Sequence, residues 1–285
     1  MDWNLPELRD GHRADEALLE RRARAAKANA GDAPEIELGT VRCLSIEPAA
    51  TPACGDMLYI HGGGYRLGTP AAYVAYAQAL ADQSGRRLIL PYYPLAPEQP
   101  FPAALHAIVA VYRALPDPAA TIVAGDSAGG GLAAALCILA ARAGQRPAGA
   151  ILVSPMLDLR AGRDSYDRNA ARDPLFSRQA VQDAAALYLQ GHAPDDPLVS
   201  AIHADPSDFP PTLVLAGGAE VLLDEALDFV RKLALADRRV TMHVEPGMGH
   251  VWPLMAAGSP HASEAIAAMA AFAKAQRSDA SEGSA

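Results

Sequence analysis

Cysteine is scarce in this chain: Cys43, Cys54 and Cys137 are the only three among 285 residues. Their odd number and lack of metal-ligand spacing argue against a disulfide scaffold or a zinc module, and fit reduced thiols. Cys137 lies in an Ala/Leu-rich stretch and is expected in the core. Basic charge is also in short supply. The chain has 24 Lys and Arg against 33 Asp and Glu, a formal net charge of −9, and no Lys/Arg stripe, so the electrostatic footprint for nucleic acid or anionic lipid is missing. No apolar run approaches the roughly 20 residues of a membrane span. Residues 1–30 alternate acidic and basic side chains without the apolar segment of a secretory signal. These absences predict a cytoplasmic protein without nucleic-acid or membrane partners.

What is present is a 51% hydrophobic share, enough to build one large α/β core. Short apolar runs at 57–60, 87–90, 121–124, 150–153 and 212–216 read as buried parallel strands, with a last strand at 240–244. Ala/Leu-rich stretches at 72–83, 102–114, 129–143 and 222–236 read as crossover helices, and 261–275 as a final helix. Together they predict an open, doubly wound sheet. Alternation over 35–46 adds one or two antiparallel edge strands, and 12–30 has the propensity of a surface or cap helix. The rhythm breaks at 158–208, where a polar loop, a helix over 177–190 and Pro-rich coil follow a sheet strand. An insertion there is expected to cover the strands' carboxyl ends. The division is therefore 1–34 as the N-terminal part of a cap, 35–157 and 209–275 as core, 158–208 as cap insertion and 276–285 as a disordered tail.

Gly125-Asp126-Ser127-Ala128-Gly129 follows one of the apolar strands and opens an Ala-rich helix. That is the strand, turn and helix context a nucleophilic serine requires, with glycines two residues away on either side letting strand and helix pass closely. A capped glycine turn would carry the same five residues, but the flanking strand and helix argue against it. His61-Gly62-Gly63-Gly64-Tyr65 also follows a buried strand. Three consecutive glycines expose amides suited to an oxyanion, and Gly63 and Gly64, with Ala128, are the expected donors. A dinucleotide loop is the competing reading, but G-x-G-x-x-G is absent. His61 is expected to hold its loop in place.

A serine needs a base and an orienting acid on later loops. His192 and His203 fall in or near the insertion, His243 within a strand and His261 at a helix start. His250 stands in the turn Pro246-Gly247-Met248-Gly249-His250 after the last strand and is the expected base. For the acid, Glu220 lies nearest the end of the 212–216 strand and comes first. Asp224, a helical turn later, is the alternative, and Glu225 is expected to face solvent. Met156, Leu157, Tyr166, Phe176 and Leu187 are pocket candidates, although apolar residues at such spacing more often belong to the core.

With these motifs, and with Pro91-Tyr92-Tyr93-Pro94-Leu95-Ala96-Pro97-Glu98 and Ser154-Pro155-Met156-Leu157-Asp158-Leu159 between them, the chain resembles the bacterial hormone-sensitive-lipase-like esterases and lipases. The resemblance covers nearly the whole chain. It implies an α/β-hydrolase core with a mostly parallel sheet of about eight strands, a helical cap, and hydrolysis of short acyl esters without a cofactor or metal. Glu220 stands where that family usually has Asp, and Asp224 matches its second acid. Asp126 and Tyr65 match family positions but read better as local hydrogen bonding and packing, and 94–101 reads as a rigid loop rather than a contact surface. A lactone, amide or carbamate is a possible alternative substrate for the same groups. A ligand receptor on this fold is the rival from another class, which the presence of both Ser127 and His250 opposes. A homodimer through the edge strand at 240–244 is expected.

Overall fold

In the computed structural model, which describes residues 3–25, 27 and 31–276, the apolar runs form one eight-stranded sheet. In chain order the elements are α1 (Glu16–Ala25), β1 (Glu35–Leu38), β2 (Val41–Ile46), β3 (Asp56–Ile60), α2 (Val74–Ser84), β4 (Arg87–Pro91), α3 (Ala103–Ala114), β5 (Ile122–Asp126), α4 (Ala128–Arg142), β6 (Gly149–Val153), α5 (Ser165–Arg168), α6 (Arg178–Leu189), β7 (Thr212–Gly217), α7 (Leu223–Leu235), β8 (Val240–Glu245), α8 (Trp252–Met255) and α9 (Pro260–Ala275). Strand order is β1-β2-β4-β3-β5-β6-β7-β8. β1 and β2 are antiparallel and every other pairing from β4 to β8 is parallel. Among the described α-helices, α5 and α8, one turn each, have no counterpart among the expected elements. The expected tail lies almost wholly outside the described residues, as do 26 and 28–30 of the N-terminal helix.

The continuous apolar runs make sense because the central strands are covered on both faces. Every residue of β5, β6 and β7 is buried. Along β5 and β6, Val123, Ala150 and Leu152 enter a core shared with α3, α4 and α7, whereas Ile122, Ala124, Ile151 and Val153 enter a second core under α2 and α9. Local chemistry sets several helix ends: Ser177 and Ser259 accept hydrogen bonds from the amides of Ala180 and Ala262, and Gly85 ends α2 at φ 67°. Cys137 is fully buried in α4.

The N-terminal stretch and the 158–208 insertion meet on the loop at 94–101. The Arg22 guanidinium donates to Glu98, to the Ala96 carbonyl and to the Arg66 carbonyl. Gln190 donates to the Pro97 carbonyl at 2.6 Å, and the Phe101 amide donates to the Tyr188 carbonyl at 2.9 Å. This corrects the expectation that 94–101 is not a contact surface: its carbonyls seat both flanking segments. Tyr65 extends the junction by stacking on Tyr188 of α6, with centroids 3.9 Å apart.

Candidate active site

Four loops at the carboxyl ends of β3, β5, β7 and β8 converge, where ligands bind in open parallel sheets. Between β5 and α4, Ser127 has φ 53° and ψ −121°, a conformation that side chains rarely adopt. Its neighbours impose it. The Ser127 amide donates to the Val153 carbonyl at 2.9 Å, and its carbonyl accepts from Gly131 and Met156. A Cβ on Gly125 would lie 2.4 Å from the Gly129 carbonyl oxygen, and one on Gly129 only 2.0 Å from that of Ile60. Side chains are therefore sterically barred at both positions.

Ser127 Oγ lies 2.9 Å from Nε2 of His250, and both residues are buried. His250 Nδ1 lies 3.4 Å from an oxygen of Glu220, which is fully buried. Among the described residues, neither Nδ1 nor the Glu220 carboxylate oxygens find a hydrogen-bond partner. Burial raises the Glu220 carboxyl above its ordinary range, an effect that the adjacent His250 opposes. The β7 and β8 loops meet backbone to backbone: Ala219 donates to the Met248 carbonyl, and a Cβ on Gly217 would lie 2.4 Å from it. Phe176 stacks on the His250 ring at 4.7 Å, and Val251 donates to Ser154 Oγ at 2.9 Å.

Asp224 is elsewhere, held by Arg168 and accepting from the Ser165 amide at 2.8 Å. Of the two acid candidates, only Glu220 is brought to His250. Glu225, expected at the surface, is fully buried. It accepts from the amides of Leu157 and Asp158 at 2.6 and 2.7 Å and from the Tyr166 hydroxyl at 2.9 Å. The helical period of α7 turns it inward under the segment leaving β6, which a reading of 220–225 as an isolated loop missed. Burial pushes its carboxyl up to about 8, against the pull of those donors.

The glycine loop faces Ser127, and among the described residues the amides of Gly63, Gly64 and Ala128 donate to no protein acceptor. Asp126 fixes the base of that loop by accepting from the Gly62 amide at 3.1 Å, with Tyr73 and Tyr59 hydroxyls on the same carboxylate. Burial pushes Asp126 up to about 6. His61 stacks on Tyr93 at 4.3 Å, and burial pulls its imidazole down to about 4. Both residues hold the loop, as expected. A cleft of about 370 Å³ opens over Ser127 and His250, lined also by Leu67, Leu175, Phe176, Leu254, Met255, Arg21 and Arg66. Among the expected pocket residues only Phe176 lines it; Met156, Leu157 and Tyr166 are core. Leu254 and Met255 belong to an apolar run immediately after His250, a signal that adjacency alone offered.

The fold is shared with known proteins. A family profile described as the α/β hydrolase fold matches residues 57–254. An acetyl-hydrolase of Streptomyces hygroscopicus is 34% identical, covering 95% of this chain and 92% of its own, and an esterase of Acinetobacter venetianus is 38% identical over 84% and 80%. The crystal structure of an esterase from the bacterial hormone-sensitive lipase family superposes with a TM-score of 0.82 at 32% identity, covering 93% of this chain and 99% of that one. The chain belongs to the hormone-sensitive-lipase-like esterase family of the α/β hydrolase fold.

Proposed function

We propose that this protein is a serine carboxylesterase for short-chain acyl esters, working through Ser127, His250 and Glu220. The observation that carries this is the 2.9 Å contact between Ser127 Oγ and His250 Nε2 on a strained turn. Ser127 Oγ attacks the ester carbonyl while His250 takes its proton, and Glu220 orients the ring and stabilises the imidazolium. The amides of Gly63, Gly64 and Ala128 receive the oxyanion; losing one such donor typically costs about 2.7–4 kcal/mol of transition-state stabilisation. His250 returns the proton to the departing alcohol, and water repeats the cycle on the acyl-enzyme. The closeness to an acetyl-hydrolase and the modest cleft support short acyl groups. Residues 3–25 and 158–208 act as the cap, supported by their junction on the 94–101 loop. The buried free thiols of Cys43 and Cys137 support a cytoplasmic setting.

A p-nitrophenyl ester series tests the reading. Activity should peak at short chains and fall by several orders of magnitude in Ser127→Ala and His250→Ala. A wild type that is inert towards every ester yet binds a ligand stoichiometrically would replace the enzyme with a receptor.

A further inference from the structure

Two arginines line the cleft without an ion-pair partner among the described residues. Arg66 follows the glycine loop and is half-buried, with its Nε atom buried and without a hydrogen-bond partner. Its side chain runs beside the proposed oxyanion donors: a Cβ on Gly64 would lie 3.7 Å from Arg66 Nε. Arg21 reaches the same cleft from α1. Among the described residues neither forms an ion pair, whereas Arg22 is met by Glu98, Arg87 by Asp56 and Arg168 by Asp224. Burial and the like charge of Arg21 pull the Arg66 guanidinium below its ordinary range, with Asp15 and Asp183 only partly offsetting them. In a chain of net charge −9, two guanidiniums without an ion-pair partner among the described residues, in the cleft that also holds Ser127, form a local exception.

Resting on the esterase reading, we infer that Arg66, assisted by Arg21, selects esters that carry a carboxylate close to the scissile bond. Guanidinium binds carboxylate in a planar two-pronged geometry, and a half-buried pair is screened less than a surface one. Leu67, Leu175 and Phe176 in the same cleft give the uncharged part of such a substrate an apolar seat. The carboxylate can sit on either side of the ester, and two matched pairs separate the cases. Monoethyl glutarate against ethyl pentanoate places it on the acyl side, and 4-acetoxybenzoate against 4-methylphenyl acetate places it on the alcohol side.

The experiment measures kcat/KM for all four esters in wild type, Arg66→Gln, Arg66→Lys and Arg21→Gln. In at least one pair the wild type should favour the anionic member. That ratio should drop about tenfold or more in Arg66→Gln, chiefly through KM. It should be largely kept in Arg66→Lys, drop less in Arg21→Gln, and weaken as salt is raised. Equal or better hydrolysis of the neutral member in both pairs, or a ratio unmoved by Arg66→Gln, overturns the inference while leaving the esterase intact. Inactivity on all four esters overturns the esterase reading and the inference with it.

Discussion

At the scale of single residues, the two acids in one turn of sequence have separate tasks. Glu220 is buried 3.4 Å from His250 Nδ1, whereas Asp224 ties Arg168 and the Ser165 amide to the start of α7. Glu220→Gln should lower kcat by up to about 10⁴-fold, because a neutral amide neither stabilises an imidazolium nor fixes its tautomer. Asp224→Asn should retain most of the activity and show its effect in thermal melting. Steady-state kinetics beside a melting curve for each variant separates the two; equal losses of kcat would undo the assignment. A carboxylate close to a strand end was legible from sequence. Nearness to the strand end put Glu220 ahead of Asp224, but sequence alone did not decide between them, because both follow β7 within seven residues and only chain direction after the turn sends one to the histidine.

At the scale of elements, the strand, turn and helix around Ser127 tolerate no added side chain. Gly129→Ala would put a methyl 2.0 Å from the Ile60 carbonyl oxygen, backbone that cannot yield without moving β3. Overpacking of this kind costs about 1–3 kcal/mol or more, so the variant should melt well below the wild type and lose activity with the displaced turn. An unchanged melting temperature would show that β3 and α4 can part freely. Glu225 joins α7 to the segment after β6, and its raised carboxyl has a consequence for stability. With a folded value near 8, its contribution is fully present below the ordinary 4.5 and is lost as pH rises through 8, since the unfolded chain gives up the proton first. Glu225→Gln should flatten the part of the decline in stability between about pH 5 and pH 8 that this group causes. Denaturant melts across that range provide the check, and a slope identical to wild type would show that Glu225 is not its source.

At the scale of the whole molecule, β8 closes the sheet on one side with no strand beyond it among the described residues, and Val244 is 37% exposed. A free parallel edge of this length is a template for pairing. A homodimer through β8 therefore belongs to the proposal, and Val244→Asp should convert it to monomer in sedimentation experiments. A monomeric wild type at micromolar concentration would remove the dimer. The two flanking segments also act at this scale. Arg22 binds α1 to the 94–101 loop, and α6 docks on the same loop through Gln190 and Tyr188. Pieces 74 to 93 positions away from that loop in sequence are thereby brought against one surface.

The sequence by itself determined the strand and helix rhythm, the tight turn at Ser127, the glycine loop and the turn that carries His250. Each depends on short-range periodicity, or on a residue type that a tight turn requires. Burial on both faces of the sheet wrote β5, β6 and β7 as continuous apolar runs, and close backbone packing wrote Gly125 and Gly129. Tertiary structure alone decided which carboxylate meets His250, that Glu225 is buried, that 94–101 is a seat, and that Arg21 and Arg66 share a cleft. Those outcomes depend on where elements distant in sequence come to rest. No local period encodes the meeting of α1, the glycine loop and the insertion, since it arises only when the packed sheet brings their ends together.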